Sequence, residues 1–232
     1  CIRDSTMLWC NVAQANNLKV GFAELPITPS IIDEWVDVND DAQFNPDVDT
    51  WTDKNGNGVF DPIWIAGFQK GRAAQGVKDD LMAVAVVIDD GDKRVAMVAI
   101  DTIGLMRKFV LDIRQSASKK WGLNHLMIHA THNQEGPDTQ GLWGPGLFES
   151  GVNDDYMRDL KESILSVIET AISNLEPAEM SIARIATDPR TPIEDKRKPI
   201  VIDEDIRVLL FRRPDQSVIG TCLLYTSDAA DE

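Results

Sequence analysis

Cysteine is nearly missing from this chain of 232 residues, with three copies at positions 1, 10 and 222. So few thiols make neither a disulfide framework nor a Cys-based zinc knuckle. Histidine is equally scarce: His125, His129 and His132 are the full set, so any imidazole chemistry is confined to one short stretch. No apolar run reaches bilayer length. The longest, LMAVAVVI from Leu81 to Ile88, falls far short of the roughly 20 residues a spanning helix needs. Positive charge is also short, with 23 basic against 38 acidic residues and a formal net charge of -15. Such a surface repels phosphate backbones and anionic membranes, which argues against a nucleic-acid partner. No internal repeat is present, which excludes solenoids and propellers.

What remains is ordinary globular composition, 43% hydrophobic and 26% charged, in a chain long enough for one substantial core. Residues 18–28, LKVGFAELPIT, alternate as a strand closed by Pro29. Residues 30–62 are rich in Asp and Asn with little periodicity and predict a long functional loop. MAVAVVI and RVAMVAI, joined across Asp89-Asp90-Gly91-Asp92, predict a hairpin with both faces covered. Leu105 to Trp121 has helical spacing and stops at Gly122, and residues 124–131 return as a strand. A Gly/Pro-rich loop, 136–151, leads to an amphipathic helix over 153–174 with Leu160, Ile164, Val167, Ile168, Ala171 and Leu175 on one stripe. MSIARIAT, DIRVLLFRR and SVIGT add strands. Alternating strands and helices predict an α/β domain built on a layered mixed sheet flanked by helices.

The two ends read differently from the middle. Ala13-Gln14-Ala15 has the small-x-small form of a signal-peptidase site, so residues 1–17 read as the tail of an export signal and the protein is expected to be secreted or periplasmic. CLLYTSDAADE, residues 222–232, looks like a translated sequencing adapter, which leaves 18–221 as the natural domain.

Two segments carry chemistry. In ATHNQEGPDT, Ala130 to Thr139, His132 follows an apolar strand and precedes a Gly-Pro turn, where a β-α domain places functional side chains. Neutral imidazole is the commonest metal ligand, and a strand end fixes its direction. On a helix the three histidines would form one stripe, but the segment is short and runs into Gly136-Pro137, so His125 and His129 are read as structural. The second segment is Asp53-Lys-Asn55-Gly-Asn57-Gly-Val-Phe-Asp61. Oxygen-bearing side chains at every second residue, a glycine bend and a closing carboxylate resemble the front half of a calcium loop. Position twelve is Trp64 and not the bidentate Glu, so this is no EF-hand, and Asp47 or Asp49 is the expected source of a missing ligand. An Asn-Gly turn decorated by acids is the plainer alternative.

The runs VGFAELPITP, AGFQKGRAAQGVKDDLMAVAVVIDDG, VAMVAIDTIGL and ATHNQEGPDT together resemble the N-terminal part of the neutral ceramidases, in order and spacing across 18–221. That family's hallmark is a Thr-His-Thr-His-Ser-Gly-Pro segment whose first His binds a catalytic zinc. The resemblance implies that His132 is a zinc ligand, Gly67 a close-approach glycine beside the pocket, and Arg197 a residue lining the active site. Asp101, at the preceding strand end, is expected either to orient His132 or to cap the next helix. Where the family has its second His this chain has Gln134, and Glu135 replaces Ser. Gln134 can donate to a developing oxyanion but cannot carry a proton. Lys78 stands where relatives often have His. The resemblance implies a zinc-dependent hydrolase of an amide, a ceramide-like N-acyl lipid or a related small amide or ester; the 53–61 segment separately suggests Ca²⁺ as a second, structural ion. Its other zinc ligands and its nucleophile fall past Thr221, so none is assigned here. The alternative is a non-catalytic, calcium-stabilised exported module or an inactive relative.

Overall fold

The computed structural model describes residues 11–13, 17–186, 198–199 and 205–224. In chain order the elements are β1 (Asn11–Ala13), β2 (Lys19–Pro26), β3 (Glu34–Val36), β4 (Thr50–Thr52), β5 (Met82–Asp89) and β6 (Arg94–Ile100). They continue with α1 (Arg107–Trp121), β7 (His125–Ala130), α2 (Asp154–Ser173), β8 (Glu176–Pro177), β9 (Glu179–Ala186), β10 (Asp205–Arg212) and β11 (Val218–Leu224). The chain divides into two compact units. One holds Gly21–Val87 and Lys93–Asn174; the other holds Cys1–Val20, Ile88–Asp92 and Leu175–Glu232.

In the first unit the strands run in the order β7-β6-β5-β2. The β5-β6 hairpin and the parallel β6-β7 pair, in register from Val95↔His125 to Ile100↔Ala130, make the sheet mixed. Its inner residues, Ala83, Ala85, Val87, Ala96, Val98 and Ile100, are buried on alternate positions. Val84 and Ala99 are exposed, so the second face is covered only in part and not throughout as the unbroken apolar runs predict. α1 begins at Arg107 because Met106 stays extended as its N-cap, and it ends where Gly122 enters the left-handed region and donates to Ser118. α2 is better fixed: the Asn153 side chain accepts from the Tyr156 amide, and Asp154 and Asp155 lie in the favourable first turn. Its buried stripe is Tyr156, Leu160, Ile164, Val167, Ile168 and Ala171. Leu175 falls past the helix end.

The acidic stretch 30–62 is largely irregular, yet it has its own small core. Trp35, Phe44, Phe60 and Trp51 follow one another at centroid distances of 5.6, 4.1 and 5.4 Å around the β3-β4 ribbon. Much of the acid there is structural. Asp33, 1% exposed, accepts from the Lys54 and Asp61 amides; Asp49, 6% exposed, accepts from those of Val38 and Asn45. A loop without a ladder must satisfy its amides with side-chain oxygens, and these carboxylates do so. Asp49, one of the two residues considered as an extra calcium ligand, thus spends its oxygens on the Val38 and Asn45 amides.

In the second unit β9 and β10 pair antiparallel along their full lengths, flanked by β1 on one side and β11 on the other. β11 continues through Cys222 to Leu224, across the boundary placed at Thr221. The carboxylate of Asp205 takes Arg184 at 2.6 Å and Arg207 at 3.0 Å, and Arg213 forks onto Glu176 at 2.7 Å through two nitrogens.

Candidate functional site

The site lies in the first unit, at the carboxyl ends of the parallel strands β6 and β7. Beyond Ala130 the pairing carries on, with the Thr131 amide donating to Ile100 at 2.9 Å and that of Asn133 to Thr102 at 3.1 Å. Between them His132 adopts φ +61°, a left-handed conformation uncommon for a non-glycine residue and concentrated at functional turns. Its Nδ1 lies 2.9 Å from the carbonyl oxygen of Ile103. A carbonyl can only accept, so Nδ1 carries the hydrogen, and in the neutral ring the lone pair sits on Nε2. This carbonyl takes the orienting part considered for Asp101. Asp101 instead accepts from the Met82 amide and the Thr131 hydroxyl, both at 2.9 Å, and so steadies the residue before His132. It does not cap α1, whose N-cap makes no side-chain bond.

Gly67 and Gln134 are brought together as close approach demands. Gly67 has φ +118°, and a Cβ there would lie 2.8 Å from the Gln134 carbonyl oxygen and 2.9 Å from its Cα. The strip holding Gly67 is laced to the turn after His132: Ala66 donates to Gly136 at 2.9 Å, and Asp138 to Trp64 at 2.7 Å. Two further residues complete the turn, and neither was expected from the sequence. Glu135 meets the Arg72 guanidinium at 2.5 Å. Asp138, 1% exposed, accepts four backbone amides, from Gln140 and Gly141 on one oxygen and Trp143 and Gly151 on the other. It ties both ends of the Gly/Pro-rich loop to one carboxylate. The only hint in the sequence was an Asp just ahead of a glycine-rich run, a common turn acceptor.

Beside this turn lies a cavity of about 670 Å³, within the size of small-molecule sites. Asp101, Asn133, Glu135 and Arg72 face it, with an apolar wall that includes Ile31, Trp35, Ile63, Ile65 and Leu81. His125 and His129 are exposed on the edge strand β7. Arg197 lies outside the described residues.

The predicted calcium residues also converge. Asp53 accepts from Gly56 at 2.6 Å and Gly58 at 2.7 Å, while the side chains of Asn55 and Asn57 reach the same Asp61 oxygen at 2.9 and 2.6 Å. The Gly58 amide leads the backbone donors that hold Asp53 below its ordinary carboxylate range. Among the described residues no group of three or more His, Cys, Asp or Glu is placed to hold a metal ion.

No protein-family model matches the chain, and no curated protein matches it significantly in sequence. Solved structures do match. The crystal structure of neutral ceramidase from Pseudomonas aeruginosa aligns with TM-score 0.64 and 17% identity over 90% of this chain. A ceramidase complexed with C2 aligns with TM-score 0.62 and 18% identity, again over 90%. The fold is thus α/β and ceramidase-like. The chain spans 31% of the length of each neighbour. No helix among the described residues is long and apolar enough to cross a membrane.

Proposed function

We propose that this chain supplies one wall of the active site of a zinc-dependent hydrolase acting on an amide bond of a small N-acyl substrate. The observation that carries the reading is the fixed tautomer of His132. A strand-end imidazole whose Nδ1–H is spent on a backbone carbonyl presents Nε2 for ligation, the arrangement metal-binding histidines adopt. The ceramidase-like fold supports it. Zinc, when bound, would polarise the substrate carbonyl and lower the pKa of the attacking group. This chain's own part is positional. Ile103 fixes the ring, Asp101 holds Thr131, and the bare α-carbon of Gly67 lets the Gln134 backbone approach. The Gln134 amide is suited to donate to oxygen of the reacting carbonyl and unsuited to shuttle protons. The expected setting is secreted or periplasmic. The test is hydrolysis of short N-acyl amides by the longest natural form of the protein. Activity abolished by zinc chelation, restored by zinc and lost in His132→Ala is expected; chelator-resistant hydrolysis would contradict it.

A second reading, a calcium-stabilised exported module without catalysis, is favoured by Gln134, an amide that cannot carry a proton, standing where the resembling family has its second His. Asp53, Asn55, Asn57 and Asp61, which converge, would hold the ion. Amide side chains there can turn either end toward a cation. The two readings share the calcium loop and differ in whether zinc-dependent turnover exists.

A further inference from the structure

Arg72 is an anomaly of the cavity wall. Its side chain is only 15% exposed, its guanidinium lies 5.4 Å from the centroid of the Phe68 ring, and Nη2 meets Glu135. Nη1 is buried and has no hydrogen-bond partner among the described residues. A guanidinium presents a fork that carboxylates fill with two parallel bonds, and burying one prong empty is costly. The group that fills the other prong is itself loosely held: Glu135 is 65% exposed and sits on a turn at the cavity edge. Other carboxylates on the wall are turned to the protein, Asp101 toward Met82 and Thr131, and Asp80 toward the Thr28 hydroxyl. Asp79 and Lys78 are exposed at the rim.

We propose that Arg72 is the anchor for a carboxylate-bearing acyl ligand, and that Glu135 is an internal stand-in which that carboxylate displaces. The exchange favours the ligand. Glu135 leaves an interaction that water already screens and returns to solvent it half occupies, whereas an incoming carboxylate takes over Nη2 and, once Glu135 has swung away, can reach toward the buried Nη1. His132, Gln134 and Gly67 are not among the residues that line this cavity, so it lies beside the proposed zinc position, and its apolar wall of Ile31, Trp35, Ile63 and Leu81 accepts the acyl chain. The substrate class this implies is the N-acyl amino acid and not the uncharged N-acyl amino alcohol. It rests on the hydrolase reading for the cavity being a substrate site, but its test requires no turnover.

The probe is N-hexanoylglycine, compared with uncharged N-hexanoylethanolamine, titrated calorimetrically into the chain with zinc chelated throughout. The carboxylate probe should bind at least tenfold more tightly. Arg72→Gln should abolish that preference, Arg72→Lys should keep part of it, and Glu135→Ala should tighten the carboxylate probe about fivefold. A merely structural clamp predicts the reverse for Glu135→Ala, because the turn would loosen. Equal binding of the two probes, or a Glu135→Ala variant that binds no better, overturns the proposal. Melting curves of each variant separate lost binding from lost fold; should Arg72→Gln not fold, the Glu135→Ala and probe comparisons decide alone. Loss of zinc-dependent hydrolysis with this preference intact would sink the hydrolase reading and spare the anchor.

Discussion

Replacing Gly67 by alanine tests the contact that joins the two segments of the site. Two costs add. The left-handed φ of +118° strains any side chain, by about 1–3 kcal/mol. The new methyl would also press on backbone, the oxygen and Cα of Gln134, which cannot swing aside as a flexible side chain would. Forced displacement in a packed site adds about 1–3 kcal/mol. The sum, roughly 2–6 kcal/mol, corresponds to a melting temperature lower by at least about 4 °C in a chain of this size, and by about 8–16 °C at the middle of that range. Gly58→Ala is the control, since φ is +77° there and no atom lies within 4 Å of the added methyl. It should cost no more than about 1 kcal/mol, part of the strain being offset by a less flexible unfolded chain. Paired thermal unfolding by circular dichroism reads the difference. Indistinguishable losses in the two variants would refute the close approach, and with it the placement of Gln134 against this strip.

Other outcomes follow from single residues. Tyr156 is 6% exposed with a hydroxyl that has no partner among the described residues, so Tyr156→Phe should be neutral or stabilising by about 1 kcal/mol in urea unfolding. Burial raises its pKa above the ordinary 10.0, so the wild type holds its full stability below pH 10 and loses it as pH climbs further; the Phe variant should lack that component. Asp138→Asn leaves two of four loop amides facing an N–H donor and should cost about 2–4 kcal/mol, with faster proteolysis between 139 and 151. If the 53–61 loop binds calcium, chelation should lower the melting temperature and added Ca²⁺ restore it, with Asp61→Ala insensitive to both; an unchanged curve in the wild type would argue for a plain acid-decorated turn.

Much of the frame was legible because periodicity reports burial. The stripe of α2, the buried face of β5 and β6, and the glycine stop of α1 follow from local pattern, and strand-end placement picked out His132. The unbroken apolar runs overstated how far the second face of that hairpin is covered, since Val84 and Ala99 are exposed. Gly67 was reached through resemblance and proved to lie against Gln134. What local pattern could not convey was pairing across distance. Arg72 and Glu135 are 63 positions apart, and nothing near either announces the other. Asp33 drew no reading from the sequence and Asp49 only one as a possible calcium ligand, yet both are buried acceptors, because an irregular segment must find oxygens for its own amides. The β3-β4 ribbon escaped notice because three-residue strands carry too little alternation to register. Asp101 was correctly placed at a strand end, but which neighbour its oxygens would meet depended on the Met82 amide, a contact only the folded sheet provides.

Zinc stoichiometry bears most directly on the account. Metal content should be measured on the longest natural form of the protein after equilibrium dialysis, for the wild type and for His125→Ala, His129→Ala and His132→Ala. One zinc per chain in the wild type and in the first two variants, with none in His132→Ala, is the predicted result. Zinc retained in full by a folded His132→Ala protein would contradict it.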